Sequence, residues 1–569
     1  MPEVLRRELL SWLLASPLVL RARPGRASVE PLSEPAATED PLDPADPISI
    51  LYSHRLAFEN GLPHVTVRIL EGQERFSFVP HGEVTLTTRR PRRTVRRAQA
   101  GGPWTARVVR SRPGRSVARV LVGEHLFDDP AGARTDAKFF RDRGFRPVLL
   151  SVGTVYGLAG RTVDTRRILV LLEADGSLQG AQALLAKLDG KFGLRPELHQ
   201  EPIERATGLV EVLAPDGTVL AQSEGALAID AQGDGGITVE QVEFQRGYAD
   251  HGFEDRTYRG RIYAAVDAQG RLAAVNFLGL EALTKGVVPA EMFAQAPPEA
   301  LRCQAIAARG DMLAKVGARH VGDPYLFCAE QHCQVFRGVA GEDERSTRAV
   351  AATEGEALFA PHGGPLVPSY YSAICGGFTE DNDVVWGGVA NPSLRGRRDF
   401  ELSPTTRRFQ DGIGDALIRE WVSTDVPAYC RAPSGKNLAR FRWSRTFTQA
   451  EVDAVALPFG IGAVERLEVE GRGISGRARS LAIHGTKGAA RILGELAIRR
   501  AFGMLESGAF VVDPSGEGDT RRYLFRGAGW GHGAGMCQQG AIGRALAGQG
   551  HREILAHYFS GAEVVRMYG

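Results

Sequence analysis

"FRGAGWGHGAGMCQQGAIGRA", Phe525 to Ala545, holds five glycines in nine residues (Gly527, Gly529, Gly531, Gly533, Gly535), with Trp530 and His532 between them. Glycine loses more backbone freedom on folding than any other residue. A cluster this dense marks left-handed backbone angles or a chain pressed against another surface. The residues that follow, from Cys537 on, read as the start of a helix. No Gly-Lys-Ser/Thr follows the glycines, so the stretch is not a phosphate loop. A tight structural turn and the wall of a binding cleft both remain open.

Upstream, "LEALTKGVVPAEMFAQAPPEALRCQAIAARGDMLAKVGARH" runs from Leu280 to His320. Pro297 and Pro298 sit where a helix starts, and Gly317 is a C-cap candidate after Val316. Leu301, Ala305, Ala308, Met312 and Val316 fall on one face, which predicts a buried helix. Glu291 stands among Val287, Val288, Pro289, Ala290, Met292 and Phe293. Apolar surroundings disfavour the ionised carboxyl and raise its pKa, as a general acid near neutral pH requires. The alternative is an exposed Glu at a helix start, favoured by the helix dipole.

"HVGDPYLFCAEQHCQVFRG" supplies His320, Cys328, His332 and Cys333, residue types that bind zinc tetrahedrally. Cys375, in "YYSAICGGFTEDNDVVWGG", rivals His320 as fourth ligand. Two buried thiols, or a disulfide between Cys328 and Cys333, is the other reading. Glu380, Asp381 and Asp383 near Trp386 form an acidic-aromatic patch, either facing a ligand or lying on a solvated loop.

The chain has 569 residues, 43% hydrophobic and 24% charged, with six cysteines and a net charge of +2. At ~100–200 residues per domain this predicts about three to four units. The charge balance argues against a nucleic-acid binder, despite the basic run "TTRRPRRTVRR", Thr87 to Arg97. No apolar run reaches the ~18 residues of a membrane span. Arg6 and Arg7 before Leu9–Leu20 resemble a secretory signal, or form an amphipathic first helix. Residues 28–48, rich in Pro, Glu, Asp and Ala, read as a disordered linker.

Strand-like alternation follows in "HVTVRIL", "RFSFV" and "EVTLTT", and again in "GLVEVLA", "ITVEQVEF", "YRGRIYAAVD" and "LAAVNFLGL". Between them, "SVARVLVG", "PAGARTDAKFFRDRGF", "RPVLLSVG", "RRILVLLEADG", "SLQGAQALLAKLDGKFG" (ending at Gly193) and "LRPELHQ" predict a β-α-β-β-α-β unit of ferredoxin-like type. This unit resembles sporulation-related-repeat (SPOR) domains, which bind glycan strands. The fold class expected is multidomain α+β: a β-rich N-terminal part with a ferredoxin-like insertion, then a mixed α+β region with a cleft. The divisions expected are 1–47 (signal or anchor, and linker), 48–110, 111–204 and 205–569.

"GVVPAEM", "PPEALRCQAIAAR", "CAEQHCQVF", "YYSAICGGFTEDNDVVWGG", "GRGISGRARSLAIHG", "IRRAFGMLESGAF" and "GAGWGHGAGMCQQGAIGRALAGQGHREILAHYFSGAEV" follow one another in the order found in the SpoIID/LytB family. The chain resembles that family, which holds stage II sporulation protein D and the amidase enhancers, over about residues 255–566. The resemblance implies an envelope protein, secreted, periplasmic or anchored, that acts on peptidoglycan glycan strands stripped of stem peptides. It implies a lytic transglycosylase forming a 1,6-anhydro product, with Glu291 catalytic and a structural zinc on Cys328, His332, Cys333 and His320. An N-acetylmuramoyl-L-alanine amidase is the implied partner, and a catalytically silent amidase enhancer or glycan-binding scaffold is the alternative. A zinc hydrolase on the Cys/His cluster is a further rival, and it needs an open coordination position. Cys537 and Cys375 depart from the serines common at these places in the family.

A lytic transglycosylase needs one carboxyl where ordinary glycosidases need two. Glu291 would protonate the leaving oxygen and then take the proton of the muramic acid C6 hydroxyl as that hydroxyl attacks internally. On this reading the glycine-rich stretch packs beside Glu291 as one wall of the cleft. Trp530, His532, Gln538 and Gln539 would contact sugar, and the helix start at Cys537–Gln539 would offer backbone N–H donors.

Overall fold

In the computed structural model, residues 43, 46–89, 93–97, 102–158, 160–188, 196–233, 235–245, 251–431 and 438–569 are described. The signal-like segment, nearly all of the 28–48 linker and the helix stop at Gly193 lie outside them.

Two antiparallel sheets face each other in the N-terminal half. One runs in the order Ala57–Glu59, Leu62–Gln73, Leu272–Gly279, Arg261–Val266, Ala226–Ala231, Val84–Thr88, Arg93–Arg97. The other runs Val219–Glu224, Thr207–Leu213, Trp104–Arg112, Arg75–Pro80, Ile237–Phe244, Gly252–Tyr258. Alternation in the strands explains the layering: Phe76 and Phe78 point inward with Val210, Val212, Val239 and Ile262 into one core. Strands from before residue 115 pair with strands from after residue 206, as where Leu62–Gln73 meets Leu272–Gly279.

Between these strand sets, Arg115–Leu126, Pro130–Arg141, Arg146–Val152, Arg167–Glu173, Leu178–Leu188 and Glu197–Glu204 follow as strand, helix, strand, strand, helix, strand. The four strands form an antiparallel sheet in the order fourth, first, third, second. Val120, Ile168, Val170 and Leu172 pack against Ala133, Ala137 and Phe140 of the first helix. A hairpin, Val155–Leu158 with Arg161–Asp164, connects the halves.

Two helices cross from the sheets into the C-terminal half. Pro298–Lys315 is the expected buried helix, with Gly317 just beyond it in the left-handed region at φ 70°. Its Leu301, Ala305, Ala308, Met312 and Val316 are all buried. Leu280–Glu291 precedes it, although Gly286 and Pro289 lower helix propensity. Tertiary packing overrides them: a Cβ at Gly286 would strike the Phe336 ring, so glycine lets that ring close onto the helix.

An ion pair locks the two helices together. Arg309, fully buried, donates from Nε and Nη2 to the two carboxylate oxygens of Glu281 at 2.8 and 2.7 Å. Its Nη1 donates to the Glu356 carbonyl at 2.8 Å. Two three-stranded sheets, built from Arg442–Thr448, Arg522–Ala528 and Phe510–Ser515, and from Val464–Arg472, Ala478–Gly485 and Gly488–Leu493, complete the C-terminal half. No helix among the described residues is long and apolar enough to cross a membrane.

Candidate functional site: a recess around Glu291

The glycine-rich stretch runs along the segment Tyr370–Gly376. Trp530 and Ile374 exchange backbone hydrogen bonds at 2.8 and 3.0 Å, and Met536 N–H donates to the Tyr370 carbonyl at 3.0 Å. Gly529, Gly531, Gly533 and Gly535 all have positive φ, from 70° to 97°. A Cβ at Gly535 would collide with the Tyr370 carbonyl oxygen, and one at Gly529 with the Ile374 carbonyl oxygen. Both reasons for glycine hold at once: left-handed angles and a backbone in the way. Gly535→Ala is expected to cost more than about 2 kcal/mol, because its obstacle is main chain and cannot swing aside. Chemical denaturation reads this directly; an unchanged midpoint would contradict the packing described.

This pairing builds a recess of about 180 Å³ lined by Glu291, Met292, Phe293, Ala373, Ile374, Arg440, Trp530, Gln538 and Gln539. Four residues singled out in the sequence thus meet: Glu291, Trp530, Gln538 and Gln539. The Arg440 guanidinium lies 3.2 Å from the centre of the Trp530 ring and covers one face. Gln538 Nε2 donates to the Glu291 carbonyl at 2.8 Å and to Gln304 Oε1 at 3.1 Å, which ties the two walls. Gln539 Oε1 is buried with no hydrogen-bond partner in the described structure.

Glu291 is the last residue of Leu280–Glu291, not the first of a helix. Its Oε1 accepts from Val335 N–H at 3.2 Å. Burial pushes its pKa up to about 6; Asp311 adds to the rise, while the Val335 N–H and Lys315 oppose it. The helix C-terminus also disfavours an anion there. Among the residues lining the recess, Glu291 alone carries a carboxyl.

His532 does not line the recess. One ring nitrogen, Nε2, donates to the Tyr371 carbonyl at 2.8 Å; the other, Nδ1, accepts from Ala534 N–H at 3.1 Å. Burial and Arg477 hold its pKa down, to about 3, so it is a neutral spacer inside the glycine-rich turn. Of the backbone donors at this helix start, two have partners within the fold. Gln539 N–H bonds the Ala373 carbonyl at 3.1 Å and Gly540 N–H faces Cys537 Sγ at 3.3 Å.

The acidic-aromatic patch divides between the core and the surface, with Glu380 buried and Trp386 45% exposed. Glu380 is fully buried and accepts from Asp381 N–H, Ile474 N–H, Ser475 N–H and Ser475 Oγ. Asp383 pairs with Arg395 at 2.6 Å, and Trp386 packs on Tyr370 and His532.

His320, Cys328, His332 and Cys333 come together with one ligand atom each within 4.8 Å of the others. His320 Nε2 lies 3.3 Å from Cys333 Sγ, and His332 Nδ1 lies 3.7 and 3.6 Å from Cys328 and Cys333 Sγ. Asp323 Oδ2 sits 3.1 Å from His320 Nδ1, the carboxylate–imidazole pairing that orients a metal-binding His. Cys375 is elsewhere, so His320 is the fourth member. The cluster ends two residues before Val335 and so shapes the loop that donates to Glu291.

Cys375 instead joins Asp399, Cys430 and Cys537 in a second, fully buried group. Sequence reading missed this group because its members lie far apart along the chain and no short spacing announces them.

Comparison with known proteins places these residues among relatives. Residues 268–359 match the family model described as Stage II sporulation protein (SpoIID). Residues 381–535 match a domain of unknown function, DUF8618. An uncharacterized protein of Brachyspira hyodysenteriae is 27% identical over 332 residues, 58% of this chain and 78% of that one. The amidase enhancer of Bacillus subtilis is 27% identical over 294 residues, 49% of this chain but only 39% of its own length.

Proposed function

We propose, for a chain that carries a SpoIID-family segment with Glu291 inside it, that the recess cleaves peptide-stripped peptidoglycan glycan strands as a lytic transglycosylase. The observation that supports this best is the single carboxyl of the recess, with its raised pKa, in an apolar and aromatic wall. A hydrolase of the usual kind would need a second carboxyl to supply a nucleophile or activate water. In the proposed reaction protonated Glu291 gives its proton to the glycosidic oxygen as the bond to muramic acid C1 breaks. The carboxylate then accepts the proton of the C6 hydroxyl as that oxygen bonds to C1. The product is a 1,6-anhydro ring, and Glu291 ends protonated as it began. Trp530 and the half-exposed Phe293 offer apolar surface to sugar faces, and Gln538 and Gln539 line the same recess.

Zinc is the metal whose chemistry suits His320, Cys328, His332 and Cys333. With all four bound it has no open position, so it would serve structure by holding the loop whose Val335 N–H meets Glu291. Binding through His332 Nδ1 leaves the proton on Nε2, so exposed Arg319, now 2.8 Å from Nε2, would turn away. The unit expected at 111–204 as ferredoxin-like and SPOR-like, where the β-α-β-β-α-β elements run from Arg115 to Glu204, is a candidate second contact for the same strand. We place the chain in the cell envelope, where such strands are found.

The test is digestion of purified strands, with and without stem peptides, read by mass spectrometry across pH. A general acid must begin protonated, so kcat/KM should fall as pH rises through about 6, by about tenfold between pH 5 and pH 7. A rate that climbs over that window would remove Glu291 as the acid. The name of the Bacillus relative favours a second reading, a silent enhancer of an amidase. Strand binding and amidase stimulation without any anhydro product would establish it.

A further inference from the structure

Behind the recess, three cysteines and an aspartate from four separate segments converge. Cys375 Sγ lies 3.5 Å from Cys430 Sγ and 3.5 Å from Asp399 Oδ2. Together with Cys537 Sγ, all four ligand atoms fall within 4.8 Å of one another, fully enclosed. We propose that Cys375, Cys430, Cys537 and Asp399 form a second metal site that takes one thiophilic divalent cation, zinc by preference, as a structural clamp on the recess wall.

The spacing fits a tetrahedral ion. Zn–S bonds of about 2.3 Å and Zn–O bonds of about 2.0 Å put ligand atoms about 3.7 Å apart for two sulfurs and about 3.5 Å for sulfur and oxygen. A disulfide would need sulfurs at about 2.05 Å, and would still leave one thiol and a buried carboxylate oxygen without a role. The surroundings are built for anions. Cys537 is the N-cap of the helix Gln538–Leu546, and its sulfur faces the N–H groups of Cys375 at 3.1 Å and Gly540 at 3.3 Å, a thiolate setting.

Asp399 is oriented from outside the cluster. Its Oδ1 accepts from Arg544 Nε at 2.9 Å and Tyr558 OH at 3.0 Å, which turns Oδ2 toward the sulfurs. Gly540 has no Cβ where one would collide with both Tyr558 OH and Asp399 Oδ2. The second guanidinium is Arg442, which donates to the Gly376 carbonyl at 2.9 Å beside Cys375. Three thiolates and a carboxylate around a divalent ion leave two negative charges, and Arg544 and Arg442 supply two positive ones. Three apolar thiols filling a core would need none of these partners.

The site lies one residue from the recess on two sides. Cys375 follows Ile374, and Cys537 precedes Gln538, and both neighbours line it. The inference does not depend on what the recess binds.

Metal content of the full-length chain, by mass spectrometry with zinc in the growth medium, tests it. Two zinc equivalents are expected in the wild type. One should remain in Cys328→Ser/Cys333→Ser and one in Cys375→Ser/Cys430→Ser. If the folded Cys328→Ser/Cys333→Ser variant holds none, the proposal fails. Should a variant not fold, the metal count of the wild type decides: two zinc equivalents support the second site, with Cys375, Cys430 and Cys537 reacting as three free thiols once denatured with chelator. A disulfide between any two of them, or a single zinc equivalent in the wild type, would overturn it.

Discussion

Glu291→Gln is expected to cut strand cleavage by about 10²–10⁴-fold, the range for removing a general acid–base group, while strand binding stays within a few-fold. The amide keeps the size of the carboxyl and can still accept from Val335 N–H. What it loses is a proton that can leave near neutral pH. A merely structural Glu would behave differently, and stability separates the two roles. The folded carboxyl has its pKa raised to about 6 from 4.5, so the folded state binds more protons than the unfolded state between those values. Stability from this group is therefore present at low pH and is lost as pH rises through about 6. Above that pH the variant, which holds no buried charge, should be at least as stable as the wild type. A loss of cleavage together with unchanged or higher stability marks a catalytic group. Cleavage that survives the substitution would sink the assignment. A wild type that cleaves nothing yet stimulates an amidase would leave the recess a binding site.

Arg309→Ala is expected to destabilise the protein by about 3–5 kcal/mol, the cost of breaking a buried ion pair from one side. Arg309 is fully buried, and Glu281 keeps only 18% of its side chain exposed. Glu281 also accepts from Gly355 N–H at 3.3 Å and Tyr568 OH at 2.9 Å, so its removal is felt at the C-terminus as well. Deleting the guanidinium leaves the mostly buried Glu281 carboxylate without its countercharge and removes a donor from the Glu356 carbonyl. It also loosens the helix whose last residue is Glu291, so cleavage should fall with stability. Arg309→Met with Glu281→Leu leaves neither charge buried and should recover a large part of the loss. Urea unfolding of the single and double variants measures both. A single variant within about 1 kcal/mol of wild type would mean that the pair does not hold the helices together.

Periodicity alone located many of the strands before Leu280 and the helix Pro298–Lys315, because alternation and helical spacing record which side faces a core, but it placed none of the strands of the C-terminal half. The ordered motifs carried the resemblance to the SpoIID/LytB family, and the match over residues 268–359 agrees with it. Glu291 was legible as a carboxyl among apolar neighbours. Its position at the end of a helix was not, because Gly286 and Pro289 mask that helix, which is held by tertiary packing against Phe336 and other neighbours and by the Arg309–Glu281 pair.

The sequence by itself determined the residue types: a glycine-rich turn, a Cys/His cluster in one short span, a lone Glu in an apolar run. The tertiary structure alone decided which of them meet. Trp530 and His532 stand two residues apart in the same turn. Yet one lines the recess while the other has both nitrogens bound inside the turn. His320 rather than Cys375 completes the first cluster, and Cys375 finds Asp399, Cys430 and Cys537 instead. Local spacing can report contacts that the backbone makes over a few residues. Contacts made by bringing distant segments together depend on how whole sheets and helices pack, and no local pattern records that.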